Sequence, residues 1–178
     1  MAITNIILAI AVIAIGAAFG FILPSMQTAS AQILSSTENS TITSLGGPFF
    51  IEKGRIIGQR VLSVGPQPQI EFTVVANATI SGNISATNTG TTVSTLQDNG
   101  VFRSTGQGFI MTEDGEVATY TSQVVGTLTE DGGVKSLGTN IWSTNSTGKL
   151  AFLNDMVNIF NLQADGYGNF SAMGWEWK

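Results

Sequence analysis

Trp175 and Trp177 stand two residues apart at the end of the chain, and Trp142 lies in an earlier run bounded by turn residues. Side chains two apart on an extended strand share a face. Turned inward, Trp175 and Trp177 would stack on a flat apolar ligand or seal the base of a barrel, with Trp142 beside them and Glu176 outside. Packing of a small β core would place three indoles there equally well. Arg103, beside Phe102, and Glu71, in the run Gln69 to Ile80, could each meet a polar group of a ligand if they entered a lumen. A charge buried there would have to be paired or change its protonation, and outward, solvated positions suit both residues too. Tyr120 and Gln123 could orient a carbonyl, but odd spacing puts them on opposite faces of one strand unless a bulge intervenes. The expected ligand-binding set is therefore Trp142, Trp175, Trp177, Tyr120 and Arg103, and no catalytic residue is assigned.

The remaining chemistry is bounded by absences. The sequence has no cysteine and no histidine, which removes disulfides, thiolate nucleophiles and the commonest general base and metal ligand. A Ser-His-Asp or Cys-His hydrolase and an ordinary zinc enzyme are excluded, and neither metal nor cofactor is expected. Paired carboxylates occur at Glu113-Asp114 and Glu130-Asp131, but each precedes a glycine and reads as turn chemistry. Neither matches the calcium loop in which acids alternate before a glycine. The seven bases are scattered and the net charge is −5, so a basic nucleic-acid patch is not expected. Asn-x-Ser/Thr triplets stand at Asn39, Asn77, Asn83, Asn145 and Asn169. Asn39 and Asn145 fall in segments read as tether and loop, and are the candidate glycosylation sites.

The elements that must position these residues read as strands. Short apolar or β-branched runs alternate with turn signals from about Pro48 onward. In the clearest, Glu116 to Thr129, the face carrying Ala118, Tyr120, Ser122, Val124, Gly126 and Leu128 is the better core candidate. Asp114-Gly115 before it and Asp131-Gly132-Gly133 after it supply the backbone that tight hairpins need. Further runs are Arg55 to Val64, Gln69 to Ile80, Thr91 to Gln97, Gly100 to Met111, Val134 to Thr144 and Asn169 to Lys178. Leu150 to Phe160 is ambiguous between helix and strand, and is taken as strand, bend at Asn154-Asp155, strand. The fold class expected is all-β: an antiparallel up-and-down meander of about eight strands closed into a barrel, with a two-sheet sandwich as the alternative. Strand-interior glycines at Gly106, Gly108, Gly126, Gly138 and Gly174 fit a curved wall that could leave a cavity.

Residues 1–31 carry no Asp, Glu, Lys or Arg, run apolar from Ile6 to Leu23 and close on Ala29-Ser30-Ala31. They read as a signal peptide or, uncleaved, as a hydrophobic helix anchoring the chain to the membrane, without the basic start of an ordinary signal. Residues 32–47, rich in Ser and Thr, read as a flexible tether, and residues 48–178 as the β-barrel domain. The expected location is extracytoplasmic, secreted or on the outer face of a membrane.

From about Gly106 to Lys178 the chain resembles a family of small uncharacterised β-barrel proteins, exported or cytosolic. The resemblance is carried by Gly106-x-Gly108, TEDGEVATYTSQVVG from Thr112 to Gly126, TGKLAFLN from Thr147 to Asn154, and WEWK from Trp175 to Lys178. In outline it is also similar to the allene-oxide-cyclase and dirigent barrels, and that likeness implies a pocket for apolar substrates. Tyr120, where a tryptophan is common, and the segment around Asn154, Asn158 and Asn161 depart from the family pattern. Together these features lead us to expect an exported non-catalytic barrel that binds a small apolar ligand or serves as an envelope or surface module. The alternative is a cofactor-free isomerase or cyclase. Partners expected are that ligand, the membrane where the leader is retained, and further copies of the chain in a homo-oligomer.

Overall fold

The computed structural model describes residues 46–177. The leader and anchor expected over residues 1–31, most of the 32–47 tether and the Asn39 site lie outside the described residues. Eight strands follow one another: β1 (Phe50–Ser63), β2 (Gln69–Ile80), β3 (Ile84–Leu96), β4 (Val101–Thr112), β5 (Val117–Leu128), β6 (Val134–Ser143), β7 (Val157–Ala164) and β8 (Asn169–Glu176). Each pairs antiparallel with the next, and β8 pairs with β1, so the sheet closes into a barrel in sequence order. Among the described residues no helix is long and apolar enough to cross a membrane.

The strict alternation of the sequence explains the closure, since small or apolar residues recur every second position and turn to one side. On β5 Ala118, Ser122 and Gly126 are buried while Val117, Thr119, Thr121 and Gln123 are exposed. The hairpins also form where Asp-Gly pairs mark them: Gly115 and Gly132 take φ of 87° and 81°, in the left-handed region that an L side chain resists. β1 is bulged between Ile56 and Gly58 and again between Val61 and Ser63. It pairs with β8 only from Phe50 to Arg55, so its second half is held by β2 alone.

One end of the barrel is closed by its own chain. Leu150 and Leu153, from the connection between β6 and β7, are fully buried against Phe50, Ile80, Ile110, Ala118 and Trp142. Leu150 to Leu153, expected as a strand, is instead a connection carrying a 3-10 turn at Ala151–Leu153, and β7 begins only at Val157. A strand would throw Leu150 and Leu153 to opposite faces, whereas a 3-10 turn aligns residues three apart, and both are needed in the plug. Glu116 fixes the turn, accepting from the backbone N–H groups of Lys149 and Leu150 at 2.9 Å each and from the Ser146 hydroxyl. The expected bend at Asn154-Asp155 is present, with Asp155 at φ 57°.

Burial falls off toward the opposite end. Along the inward face of β2, Ile80, Ala78 and Ala76 are buried, but Val74, Phe72 and Ile70 are only half-buried. The molecule is thus a cup with a plugged base and a mouth formed by the connections Val64–Pro68, Gln97–Gly100, Thr129–Gly133 and Asp165–Gly168.

Candidate functional site

The cup holds a cavity of about 230 Å³. Eight-stranded barrels are just wide enough for side chains to fill, or to hold one small ligand, and here glycines decide between the two. Four inward aromatic residues each face an inward glycine directly across the ladder: Phe170 opposite Gly54, Tyr120 opposite Gly108, Phe102 opposite Gly126 and Phe160 opposite Gly138. Each ring lies against its glycine so closely that a Cβ there would collide with it, at 2.7 Å for Gly54 and Phe170 and 2.6 Å for Gly138 and Phe160. The rings are laid on the wall instead of across the axis, and the axis stays open. Ile70, Phe72, Leu96, Leu128 and Leu162 complete an apolar upper wall.

Below that wall a polar layer crosses the lumen. Glu52 of β1, Asn88 of β3 and Tyr120 of β5 are linked: Asn88 donates from Nδ2 to Glu52 Oε2 at 2.7 Å, and the Tyr120 hydroxyl donates to Asn88 Oδ1 at 3.0 Å. Glu52 is 8% exposed, with no basic residue among those lining the cavity. Burial pushes its carboxyl from 4.5 up to about 7, against the opposing pull of the Asn88 hydrogen bond. Burial, and secondly the Glu52 charge, push the Tyr120 phenol up to about 12. Glu52 is therefore poised between its neutral and charged forms near neutrality, with Tyr120 held as a proton donor.

The other side of this layer belongs to β6 and β7. Trp142 donates from Nε1 to Asn158 Oδ1 at 2.6 Å, and its ring lies 5.0 Å from Tyr120 and 5.7 Å from Phe50. Asn140, two residues before Trp142 on the same face, lines the cavity, and its buried Oδ1 has no hydrogen-bond partner among the described residues. A buried carbonyl left without a donor costs about 1–3 kcal/mol. Ser94 and Ser104 pair at 2.7 Å nearer the mouth, and Ser122 and Ser136 also line the lumen.

The expected site residues separate into two groups. Tyr120 and Trp142 line the cavity. Trp175, Trp177 and Arg103 do not: the inward face of β8 is Phe170, Ala172 and Gly174, so Trp175 and Trp177 take the outer parity, where Trp175 is buried and Trp177, beyond the strand end, is 59% exposed. Arg103 is exposed between the inward Phe102 and Ser104. Glu71 also turns outward, pairing with Arg60 at 3.1 Å, and Asn145 is exposed in the loop after β6. Glu52, Asn88 and Asn140 were not singled out from the sequence. Asn140 carried a signal, since it shares the face of Trp142 two residues on. Among the described residues no three carboxylates come together in a group that could hold a metal ion.

No family model matches this chain, and no curated protein matches it by sequence. Solved structures do. A conserved protein of unknown function from Rhodopseudomonas palustris superimposes with a TM-score of 0.61 at 11% identity, covering 73% of this chain and 95% of that one. A protein of unknown function from Clostridium acetobutylicum gives a TM-score of 0.59 at 10% identity, over 74% and 97% of the two chains. At such identities the likeness is one of fold: the small closed barrel is shared, and kinship with the allene-oxide-cyclase and dirigent barrels is not shown.

Proposed function

We propose that the barrel is a binding module for a small, mainly apolar molecule, taken up through the open mouth and held with one polar end at the Glu52–Asn88–Tyr120 layer. The observation that carries this reading is the pairing of four inward rings with glycines, which lays those rings on the wall of a narrow barrel instead of across its axis. A chain selected only for a filled core would have the simpler choice of residues that meet across the axis. Titration of the full chain with linear alcohols of increasing length, followed by calorimetry, tests the proposal. One site is expected, tightening about fourfold per methylene, as the burial of a CH₂ dictates, until the cup is full. Affinity independent of length, or no heat at any length, would overturn it. The charge-free leader supports placing this module outside the cytoplasm, which sequencing of the mature N-terminus checks.

The second reading, a cofactor-free isomerase or cyclase, is favoured by one observation: a carboxyl that titrates near neutrality faces the lumen beside a phenol. Glu52 would remove or return a proton at an apolar substrate, and Tyr120, turning its hydroxyl from Asn88, would donate a hydrogen bond to the developing oxyanion. Exchange of the α-protons of phenylbutanone in heavy water, faster with wild type than with Glu52→Gln and following a single ionisation near neutrality, is the expected signature. Equal rates for the two proteins would remove this reading and leave the binding module.

A further inference from the structure

From the lining of the cup we infer that its ligand is an organic cation, a protonated amine on a compact apolar body, whose ammonium sits between Glu52 and Asn140. The inference rests on the binding-module reading and adds the sign of the ligand's charge.

Three independent features point the same way. First, the ionisable groups lining the cavity are Glu52, Asp165 and Tyr120, with no Lys or Arg among them, so the lumen offers negative charge and nothing to neutralise an anion. Second, the orphaned buried group is an acceptor. Asn140 Oδ1 has no donor among the described residues, Glu52 has one oxygen engaged by Asn88, and an ammonium brings three donors and no acceptor. A carboxylate ligand would do the reverse, adding acceptors to a layer already short of donors. Third, the connections around the mouth carry Asp98, Glu130, Asp131 and Asp165 and no base, while Arg55, Arg60, Arg103 and Lys135 stand on the adjoining strands. The connections themselves thus bring negative charge to the rim, the sign that attracts a cation.

The walls supply the apolar surroundings, since Phe50, Tyr120 and Trp142 pack against one another beside the polar layer and line the cavity. The groups linked to Glu52 are Asn88 and Tyr120, and Asn140 lines the same cavity; the one group among these able to ionise is Tyr120, which stays neutral at physiological pH. An arriving ammonium therefore stabilises the Glu52 carboxylate and drives its proton into solvent.

The test is calorimetric titration of the full chain near pH 6 with phenylbutylamine, phenylbutanol and phenylbutyrate, which share one apolar body. The amine is expected to bind about tenfold or more tighter than the alcohol, and the carboxylate weakest. Repeating the amine titration in buffers of different ionisation heat should show release approaching one proton per amine bound, and none for the alcohol. In Glu52→Gln the preference for amine over alcohol should shrink to within about threefold. An alcohol or carboxylate that binds as tightly as the amine, without proton release, overturns the cation inference and leaves the binding module standing. Failure of all three to bind overturns both. The proton count is read on the wild-type chain, so the test holds even if the variant folds poorly.

Discussion

Glu52 gives the molecule a pH dependence of unusual sign. Its carboxyl titrates at about 7 in the folded barrel against 4.5 when free, so between those values the folded state holds a proton that the unfolded chain has lost. Stability from this group is complete below about pH 4.5, declines as pH rises and is gone above about pH 7. The two values differ by an amount worth about 3 kcal/mol. Glu52→Gln keeps an acceptor for Asn88 without the titration. It is expected to be more stable than wild type near pH 8 by about that amount and to match it near pH 4.5. Urea unfolding across this range checks it, and a difference between the two proteins that stays flat with pH would contradict the assignment. The same residue shows where reading from sequence stopped. Glu52 and Asn88 lie in the first halves of β1 and β3, and those strands were expected to begin later, at Arg55 and Thr91. Glu, Lys, Asn and Gly are poor strand formers by local preference, so the stretches around Glu52-Lys53-Gly54 and Asn88-Thr89-Gly90 carry little strand signal. What makes them strands is pairing on both sides in a closed sheet.

At the scale of elements, the cup depends on two devices. The first is the cross-strand match of ring to glycine. Gly138→Ala would place a methyl 2.6 Å from the Phe160 ring, forcing the ring toward the axis. We expect a loss of about 1–3 kcal/mol together with weaker alcohol binding. Calorimetry on a variant that still melts cooperatively separates the two effects, and unchanged affinity would show that the ring does not border the ligand. The second device is the tie between Glu116 and the plug. Hydrogen bonds from Ser146 and from the Leu150 and Lys149 amides hold the Glu116 carboxyl below its usual range, so this tie is present at neutral pH and lost as pH falls through that lowered value. Glu116→Gln should lower the amide-exchange protection of Lys149 and Leu150 at neutral pH while leaving β2 and β3 protected; uniform protection would mean that the leucines alone hold the plug. The strand run of β5 and its Asp-Gly hairpins were legible because period and turn chemistry agree there. The plug was not: Glu116 and Leu150 are distant in sequence, and Leu150, Leu153, Val157 and Phe160 repeat at a spacing that suits a helix as well.

For the whole molecule, the meander of eight strands could be read because each connection but one is a short turn. That leaves little choice beyond closing the sheet or burying its edges. What alternation could not supply was phase at the final strand. An inward turn of Trp175 and Trp177 was one of the readings open for β8, yet Phe170, Ala172 and Gly174 hold the inward face and Trp175 is buried on the other. Phe170 must lie on Gly54, and a strand cannot reverse its phase midway without a bulge.

The seam between β1 and β8, six residue pairs from Phe50 with Gly174 to Arg55 with Asn169, also bears on the order of events during folding. Every other pair of neighbours is joined by a local connection, whereas these two strands meet only after the whole intervening chain has been laid down. Closing so large a loop costs more entropy than closing any one hairpin, and it gains few contacts in return. The seam should therefore form after the rate-limiting barrier, on a nucleus built from the central hairpins. Ala118→Gly in β5 is expected chiefly to slow refolding, and Ala172→Gly in β8 chiefly to speed unfolding. Stopped-flow measurements on the two variants distinguish this order from one in which the ends of the sheet meet first.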